Sequence, residues 1–251
     1  MPVAGGRQET SPSDGHKRAL ERKRWLSINL PLIEYREAWD LQHKLVKARK
    51  DRIIHRDLVL ILEHPPVFTL GRRGGLSNLT VSEGFLQKAG ISVVQVERGG
   101  DITYHGPGQL VVYPIIDLQK AKLKVLDYVD RLEEVMIRSA GEWGIVAERN
   151  PMNRGVWVDN KKLGSIGITI RNGVSFHGMA FNINVELAPF DWINPCGLRG
   201  IGVTSIEREA AYRVPMSEAR EVVRFHMEGV FEVSFDATRL SALKGFLETT
   251  H

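Results

Sequence analysis

The sequence contains very little cysteine: Cys196 is the only one among 251 residues. A single cysteine excludes a disulfide within the chain and any metal site built from several cysteines. Long apolar runs are also missing, because no stretch approaches the roughly 18 continuous apolar residues of a membrane-spanning helix. The first 24 residues contain no apolar core of the kind found in a secretory signal. We therefore expect a cytoplasmic protein that does not bind a membrane.

Excess charge is confined to one end of the chain. The formal net charge is +4 and the isoelectric point is about 9.2, but residues 1–24 alone carry six basic and three acidic side chains. Residues 25–251 are therefore close to neutral, whereas nucleic-acid binding by phosphate neutralisation requires clustered Lys and Arg. We expect no nucleic-acid partner. The basic run HKRALERKR is interpreted as a solvated charge run, with a weak binding site for an acidic partner or nucleic acid as the alternative.

The chain divides into a polar tail and one domain. Residues 1–15 are rich in Gly, Pro and Ser without periodicity, so we predict a disordered tail over 1–24. Order is expected from Trp25, and a single catalytic domain over 25–251, because no later change in composition marks a second boundary.

Hydrophobic periodicity predicts interleaved strands and helices. The stretch RGGDITYHGPG is rich in glycine and is interpreted as a shaped loop or strand turn, and Ser217 is the predicted cap of the last helix. The strands are uneven and hairpin-like, which favours an α+β domain over a doubly wound sheet. Helices are predicted over 35–52, 125–144 and from 217, and strands at WLSINL, DLVLILE, VVQVE, QLVVYPIIDL, VWVD, SIGITI and VSFHGMAFNINV.

Four stretches together resemble the octanoyl (lipoyl) transferase family. They are EHPPVFTLGR (63–72), RGGDITYHGPGQLVVYP (98–114), KLGSIGITI…VSFHGMAFNINV (162–185) and INPCG (193–197). The resemblance covers nearly the whole chain after the tail. It implies the α+β fold of the biotin and lipoate protein ligase superfamily, a single domain with a mixed sheet and flanking helices. It also implies transfer of an octanoyl chain between proteins, the first step in assembling the lipoyl cofactor.

Cys196 and Lys162 are the predicted catalytic residues. Cys196 lies between Pro195 and Gly197, in turn chemistry that suits a reactive loop better than a core strand or helix. The resemblance places the acyl-thioester nucleophile at Cys196 and pairs it with Lys162, whose cation would favour the thiolate. Lys161 is a rival for the second role.

The resemblance further implies a substrate pocket lined by three segments. Glycines there would let the backbone approach an acyl group closely. The predicted substrate-binding residues are Arg98, Gly99, Gly100, Asp101, Ile102, Thr103, Tyr104, His105, Ser165, Ile166, Gly167, His177, Gly178 and Met179.

The implied reaction has two half-reactions and needs no ATP and no metal. The octanoyl group arrives on the phosphopantetheine of acyl carrier protein, rests on Cys196 as a thioester, and passes to a specific lysine of a lipoyl domain. The expected acceptors are the E2 subunits of 2-oxoacid dehydrogenases and the glycine cleavage H protein. Lys162, His105 and His177 all remain candidates for the group that takes the proton from the acceptor lysine.

Three other functions compete with this one. An ATP-dependent lipoate or biotin protein ligase would use the same glycine-rich loop and strand lysine, but it needs no nucleophilic thiol. A cysteine hydrolase would release free octanoate to water. An inert basic nucleic-acid binder is disfavoured by the nearly neutral domain.

Overall fold

The computed structural model describes residues 22–151, 153–194, 202–243 and 245. Cys196 and most of the predicted tail lie outside these residues. In the described part no helix is both long and apolar enough to cross a membrane. The α-helices in the same part are α1 (Tyr35–Lys50), α2 (Glu83–Lys88), α3 (Leu118–Ala121), α4 (Val125–Gly141), α5 (Ile206–Ala210) and α6 (Met216–Phe231).

The strands form one large mixed sheet and one small sheet. The described strands are β1 (Lys23–Leu32), β2 (Leu58–Glu63), β3 (Val67–Leu70), β4 (Ser92–Gln95), β5 (Ile102–His105), β6 (Gln109–Ile115), β7 (Glu148–Arg149), β8 (Val156–Val158), β9 (Lys161–Arg171), β10 (Val174–Asn182), β11 (Gly202–Val203) and β12 (Val233–Ala237). The large sheet has the order β12-β1-β2-β6-β10-β9-β8-β7, with β11 also paired to β9. Strand β1 runs parallel to β12 and β2, and the pairs from β2 to β7 are antiparallel.

Helices cover both faces of the large sheet. Alternation along β6 sends Leu110 and Val112 into a core shared with α4 and α6. Val111 and Tyr113, from the same strand, belong to a second core shared with α1. Helix α4 repeats apolar side chains at helical spacing, which is why one of its faces is continuous with the first core. The predicted α+β class, with a mixed sheet and flanking helices, is confirmed.

The small sheet has the order β4-β3-β5. It encloses a third apolar cluster that includes Phe68, Tyr104 and Phe190. Part of this sheet comes from the stretch interpreted above as a loop or turn: residues 102–105 form β5 and pair antiparallel with β3. Glycine lies on both sides of β5, which made the whole stretch resemble a loop. The strand forms because it hydrogen-bonds to β3, which is distant in the sequence.

Several boundaries differ from the predicted ones, and two of the differences have a clear physical reason. Strand β1 begins at Lys23 rather than Trp25, because Lys23 and Arg24 pair with β12 from the far end of the chain. Helix α6 begins at Met216 with Pro215 in the cap position, so the prediction that Ser217 caps it was wrong. Proline pre-sets the backbone angle at a helix start and lacks the N–H that would otherwise need a partner there.

Candidate active site

A cavity of about 550 Å³ is lined by residues from both sheets. It brings together Lys162 and thirteen of the fourteen predicted substrate-binding residues, although these come from three separate stretches of sequence. Those thirteen are Arg98, Gly99, Gly100, Asp101, Ile102, Thr103, His105, Ser165, Ile166, Gly167, His177, Gly178 and Met179.

Tyr104 is the exception among the predicted pocket residues. Its ring packs against Phe68 and Phe190 at centroid distances of 5.3 and 5.4 Å, inside the third apolar cluster. Successive side chains of a strand point to opposite faces, so Tyr104 faces away from its neighbours Thr103 and His105. It supports the wall of the cavity from behind and does not line it.

Arg98 shapes the loop that precedes β5. Its buried guanidinium donates to the Thr69 carbonyl oxygen at 2.6 Å and to the Gly99 carbonyl oxygen at 3.0 Å. Gly71 lies against it, because a side chain there would come within 2.8 Å of the guanidinium. The Arg98 side chain therefore holds the glycine-rich loop in place beside the cavity.

A chain of hydrogen bonds fixes the state of His105. The Gln109 amide nitrogen donates to Asn182 Oδ1 at 2.9 Å, so its carbonyl oxygen accepts from His105 Nδ1 at 2.7 Å. His105 Nε2 then accepts from the Thr69 hydroxyl at 3.3 Å. Burial, foremost, and the neighbouring His64 hold the pKa of His105 well below its usual value. Both ring nitrogens are engaged and the ring is neutral.

His177 occupies a different setting. Its φ is +53°, which places its ring on the same side of β10 as Phe176, stacked at 4.9 Å. Burial lowers its pKa, opposed by the Glu97 carboxylate at 3.8 Å from Nε2. That distance exceeds a hydrogen bond, and neither ring nitrogen has a hydrogen-bond partner among the described residues.

A bulge in β9 turns Lys162 into the cavity. Near this residue one step along β8 is matched by two along β9. Leu163 is buried in the core that the large sheet shares with α4 and α6, and a side chain on Gly164 would also meet α4 at Met136. Because these two neighbours face the same way, Lys162 and Ser165 on either side of them face the cavity.

The two rival lysines are thus separated. The Lys162 ammonium donates to Asn153 Oδ1 at 2.7 Å and lies 5.2 Å from the centre of the Trp157 ring. Lys161 instead pairs with Glu209 at 3.5 Å.

Described residues on both sides of Cys196 in the sequence line this cavity. Ile193, just before the undescribed residues 195–201, and Val203, just after them, both line it. Val203 pairs with Lys162 in the β9–β11 ladder.

Sequence reasoning missed several cavity residues. Tyr35 and Asn182 line the cavity from a predicted helix and a predicted strand, and Asn153 and Arg73 line it from turns. The hairpin of β8 and β9 was a usable signal for Asn153, since it folds the residues before Trp157 back toward Lys162. Among the described residues no group of three or more His, Cys, Asp or Glu side chains is arranged to hold a metal ion.

The fold is shared with two solved structures. It is similar to a crystal structure of lipoate-protein ligase A bound with ATP, with a TM-score of 0.68, 14% identity and 92% of each chain covered. It is also similar to P. falciparum LipL1 in complex with lipoate, with a TM-score of 0.68, 11% identity, and 90% of this chain and 70% of that one covered. Residues 34–228 match the family model of the lipoyl protein ligase A/B catalytic domain. The chain therefore belongs to the family of lipoyl protein ligase A/B catalytic domains.

Sequence relatives narrow the class. An octanoyltransferase of Desulfotalea psychrophila is 50% identical over 196 residues, covering 77% of this chain and 88% of the relative. An octanoyltransferase of Syntrophobacter fumaroxidans is 44% identical over 226 residues, covering 90% of this chain and 98% of the relative. The chain belongs to the octanoyltransferase family and is an acyltransferase of protein lipoylation, as the resemblance of its motifs predicted.

Proposed function

We propose that this enzyme moves an octanoyl group from octanoyl-acyl carrier protein to a specific lysine of lipoyl domains, through a thioester on Cys196. The observation that carries the proposal is the position of Lys162. Its cation lines the cavity and its strand pairs with Val203, where the segment containing Cys196 rejoins the described chain.

In the first half-reaction the Cys196 thiolate attacks the thioester carbonyl of the donor. A new carbon–sulfur bond forms, the old one breaks, and the phosphopantetheine sulfur of the carrier leaves as a thiol after taking the proton of the Lys162 ammonium. A free thiol with a pKa near 8.5 is only about 3% thiolate at pH 7. A lysine cation beside the sulfur raises that fraction, which is the role proposed for Lys162.

In the second half-reaction the acceptor lysine attacks the acyl-enzyme. The amide forms, the Cys196 thiolate leaves, and the attacking amine loses a proton. The acyl group is already activated as a thioester in both steps, so the proposed reaction uses neither ATP nor a metal. The proposed acceptors are the lipoyl domains of 2-oxoacid dehydrogenase E2 subunits and the glycine cleavage H protein.

The geometry favours Lys162, which is neutral once it has given its proton to the leaving thiol, over both histidines as the proton acceptor of the second half-reaction. The Nε2 lone pair of His105 is already used by the Thr69 hydroxyl. His177 pairs with Ile168, six residues along β9 from Lys162, which at ~3.3 Å per residue is about 20 Å and longer than an extended eight-carbon chain. His177 is therefore too far from Lys162 to take the proton at the reacting centre.

Apolar burial supplies the affinity for the acyl chain. Val111, Met179 and Ala180 line the cavity, and burying seven apolar carbons at ~0.8 kcal/mol each is worth roughly 5–6 kcal/mol. One methylene more or less changes this by only about 1 kcal/mol, so selection for chain length should be coarse.

Intact-mass spectrometry tests the proposal. The protein mixed with octanoyl-acyl carrier protein, without ATP, should gain about 126 Da as one octanoyl group replaces a hydrogen. A lipoyl domain added afterwards should take over the octanoyl group. The enzyme should then return to its original mass, and the lipoyl domain should gain the same mass that the enzyme loses. Cys196→Ser should form no adduct while keeping its fold, because a serine hydroxyl is far less acidic than a thiol.

The competing functions give different results. Octanoylation of the lipoyl domain by free octanoate that requires ATP would identify a ligase. Free octanoate accumulating without an acceptor would identify a hydrolase. An adduct of undiminished yield in Cys196→Ser would assign the nucleophile to another residue.

A further inference from the structure

Two residues beside Lys162 contact each other as well as the lysine. The Lys162 ammonium donates to Asn153 Oδ1 at 2.7 Å, and it lies over the Trp157 ring at 5.2 Å. The Trp157 indole N–H donates to the Asn153 backbone carbonyl at 3.1 Å. The three contacts close a triangle, so the position of each group depends on the other two.

The backbone leaves room for the lysine stem in this triangle. Gly155 has a φ of +128°, and a Cβ there would lie 2.8 Å from Lys162 Cε and would overlap the Gly164 carbonyl oxygen. Only glycine fits such a conformation and such a contact without strain. The turn that carries Asn153 is thereby shaped around the end of the Lys162 side chain.

A buried carboxylate on α4 anchors the same turn. The Glu133 side chain is fully buried and accepts from the Gly155 amide at 2.9 Å and from Arg154 at 3.0 Å. Its third partner is Arg149 at 3.3 Å. A buried carboxylate with several donors is costly to displace, so the turn is tied firmly to the helix.

We infer that Asn153 and Trp157 are positioning residues that favour the ammonium form of Lys162 in the free enzyme and fix its place in the cavity. The inference rests on the proposed function, which assigns Lys162 its task. Both contacts favour the cation, because an amide oxygen accepts from the ammonium and the face of an indole ring attracts positive charge. They also remove rotational freedom from a long side chain, which otherwise spreads its charge over many conformers.

The experiment uses the single thiol as its reporter. Cys196 is the only cysteine, so the rate of iodoacetamide labelling across pH reports the thiolate of that residue alone. In Asn153→Ala the apparent thiol pKa should rise, slowing labelling at pH 7 by up to about tenfold for one pKa unit. Asn29→Ala, at an exposed position of β1, is the matched control and should label at the wild-type rate.

Two further variants separate orientation from charge. Asn153→Asp puts a carboxylate against the ammonium and neutralises its field, so labelling should slow at least as much as in the alanine variant. Trp157→Phe keeps an aromatic face but loses the N–H to Asn153, and its labelling rate should fall between those of the wild type and Asn153→Ala. In turnover, kcat should fall while the KM for octanoyl-acyl carrier protein stays within about twofold.

The Lys162→Ala variant separates the proposed role of Lys162 from the positioning role of Asn153. Slow labelling in Lys162→Ala, with no further slowing in the double variant with Asn153→Ala, supports the positioning role. Slow labelling in Lys162→Ala but wild-type labelling in Asn153→Ala would overturn the positioning role and leave the proposed function standing. Wild-type labelling in Lys162→Ala would overturn both the activation by Lys162 and the inference built on it.

Discussion

Protonation of a buried histidine under the cavity should make the folded state sensitive to mild acid. His64 follows β2, and its side chain is fully buried. Its Nδ1 lies 2.8 Å from the Ile33 carbonyl oxygen and its Nε2 lies 2.8 Å from the Tyr113 hydroxyl. Because a carbonyl only accepts, Nδ1 carries the hydrogen and Nε2 accepts from Tyr113. The ring is neutral, and burial lowers its pKa from 6.5 to about 4, opposed by the bond to Ile33.

The sign and size of the effect follow from this pKa. The unfolded chain takes up a proton at His64 below pH 6.5, whereas the folded protein does not until about pH 4. Stability is therefore complete at neutral pH and is lost as the pH falls through this window. At about 1.4 kcal/mol per pKa unit the full loss is about 3 kcal/mol, of which about 2 kcal/mol is reached at pH 5.

Urea unfolding followed by tryptophan fluorescence at pH 7.5 and pH 5 measures this loss. The wild type should lose about 2 kcal/mol more stability between the two pH values than His64→Asn, which keeps a donor toward Ile33 but cannot be protonated. His105 and His177 add acid sensitivity to both proteins, so the difference isolates His64. His55→Asn, at an exposed position, is the control and should behave like the wild type. Equal pH dependence in the wild type and His64→Asn would refute the reasoning.

Two further predictions concern stability. Gly155→Ala should lower the unfolding free energy by about 1–3 kcal/mol, because the backbone conformation at this position suits only glycine. Gly141→Ala, with open space around it at the end of α4, should instead stabilise the protein by up to about 1 kcal/mol. Similar melting temperatures for the two variants would contradict this prediction. Arg49→Met should cost about 3–5 kcal/mol by leaving the buried Asp57 carboxylate without the guanidinium at 2.8 Å. A loss below 1 kcal/mol in chemical denaturation would show that Asp57 is satisfied by its other donors.

Much of the fold was predictable because local patterns and distant packing agree. The apolar periodicity of α1 and α4 and the alternation along β1 and β6 match the faces that these elements bury. The prediction failed where distant residues decide local structure. Strand β5 exists because β3 pairs with it, and β1 starts early because β12 lies beside it.

The candidate site divides in the same way. The resemblance of the motifs picked out Lys162 and most of the cavity lining, and it placed Tyr104 in the pocket because it treats adjacent residues alike. The pleat of β5 turns Tyr104 into the core. The state of His105 and the contact between Asn153 and Lys162 depend on partners brought together by the sheet, which no spacing along the chain specifies.

The sequence by itself determined the class of fold, the family and the pair of residues proposed for the chemistry, because these are carried by periodicity and by contiguous motifs. Only the tertiary structure decided how Lys162 is turned into the cavity, which histidine is already engaged and which turn supports the ammonium. A bulge, a strand register or a hydrogen bond depends on the two segments that it joins, and each segment alone permits several outcomes.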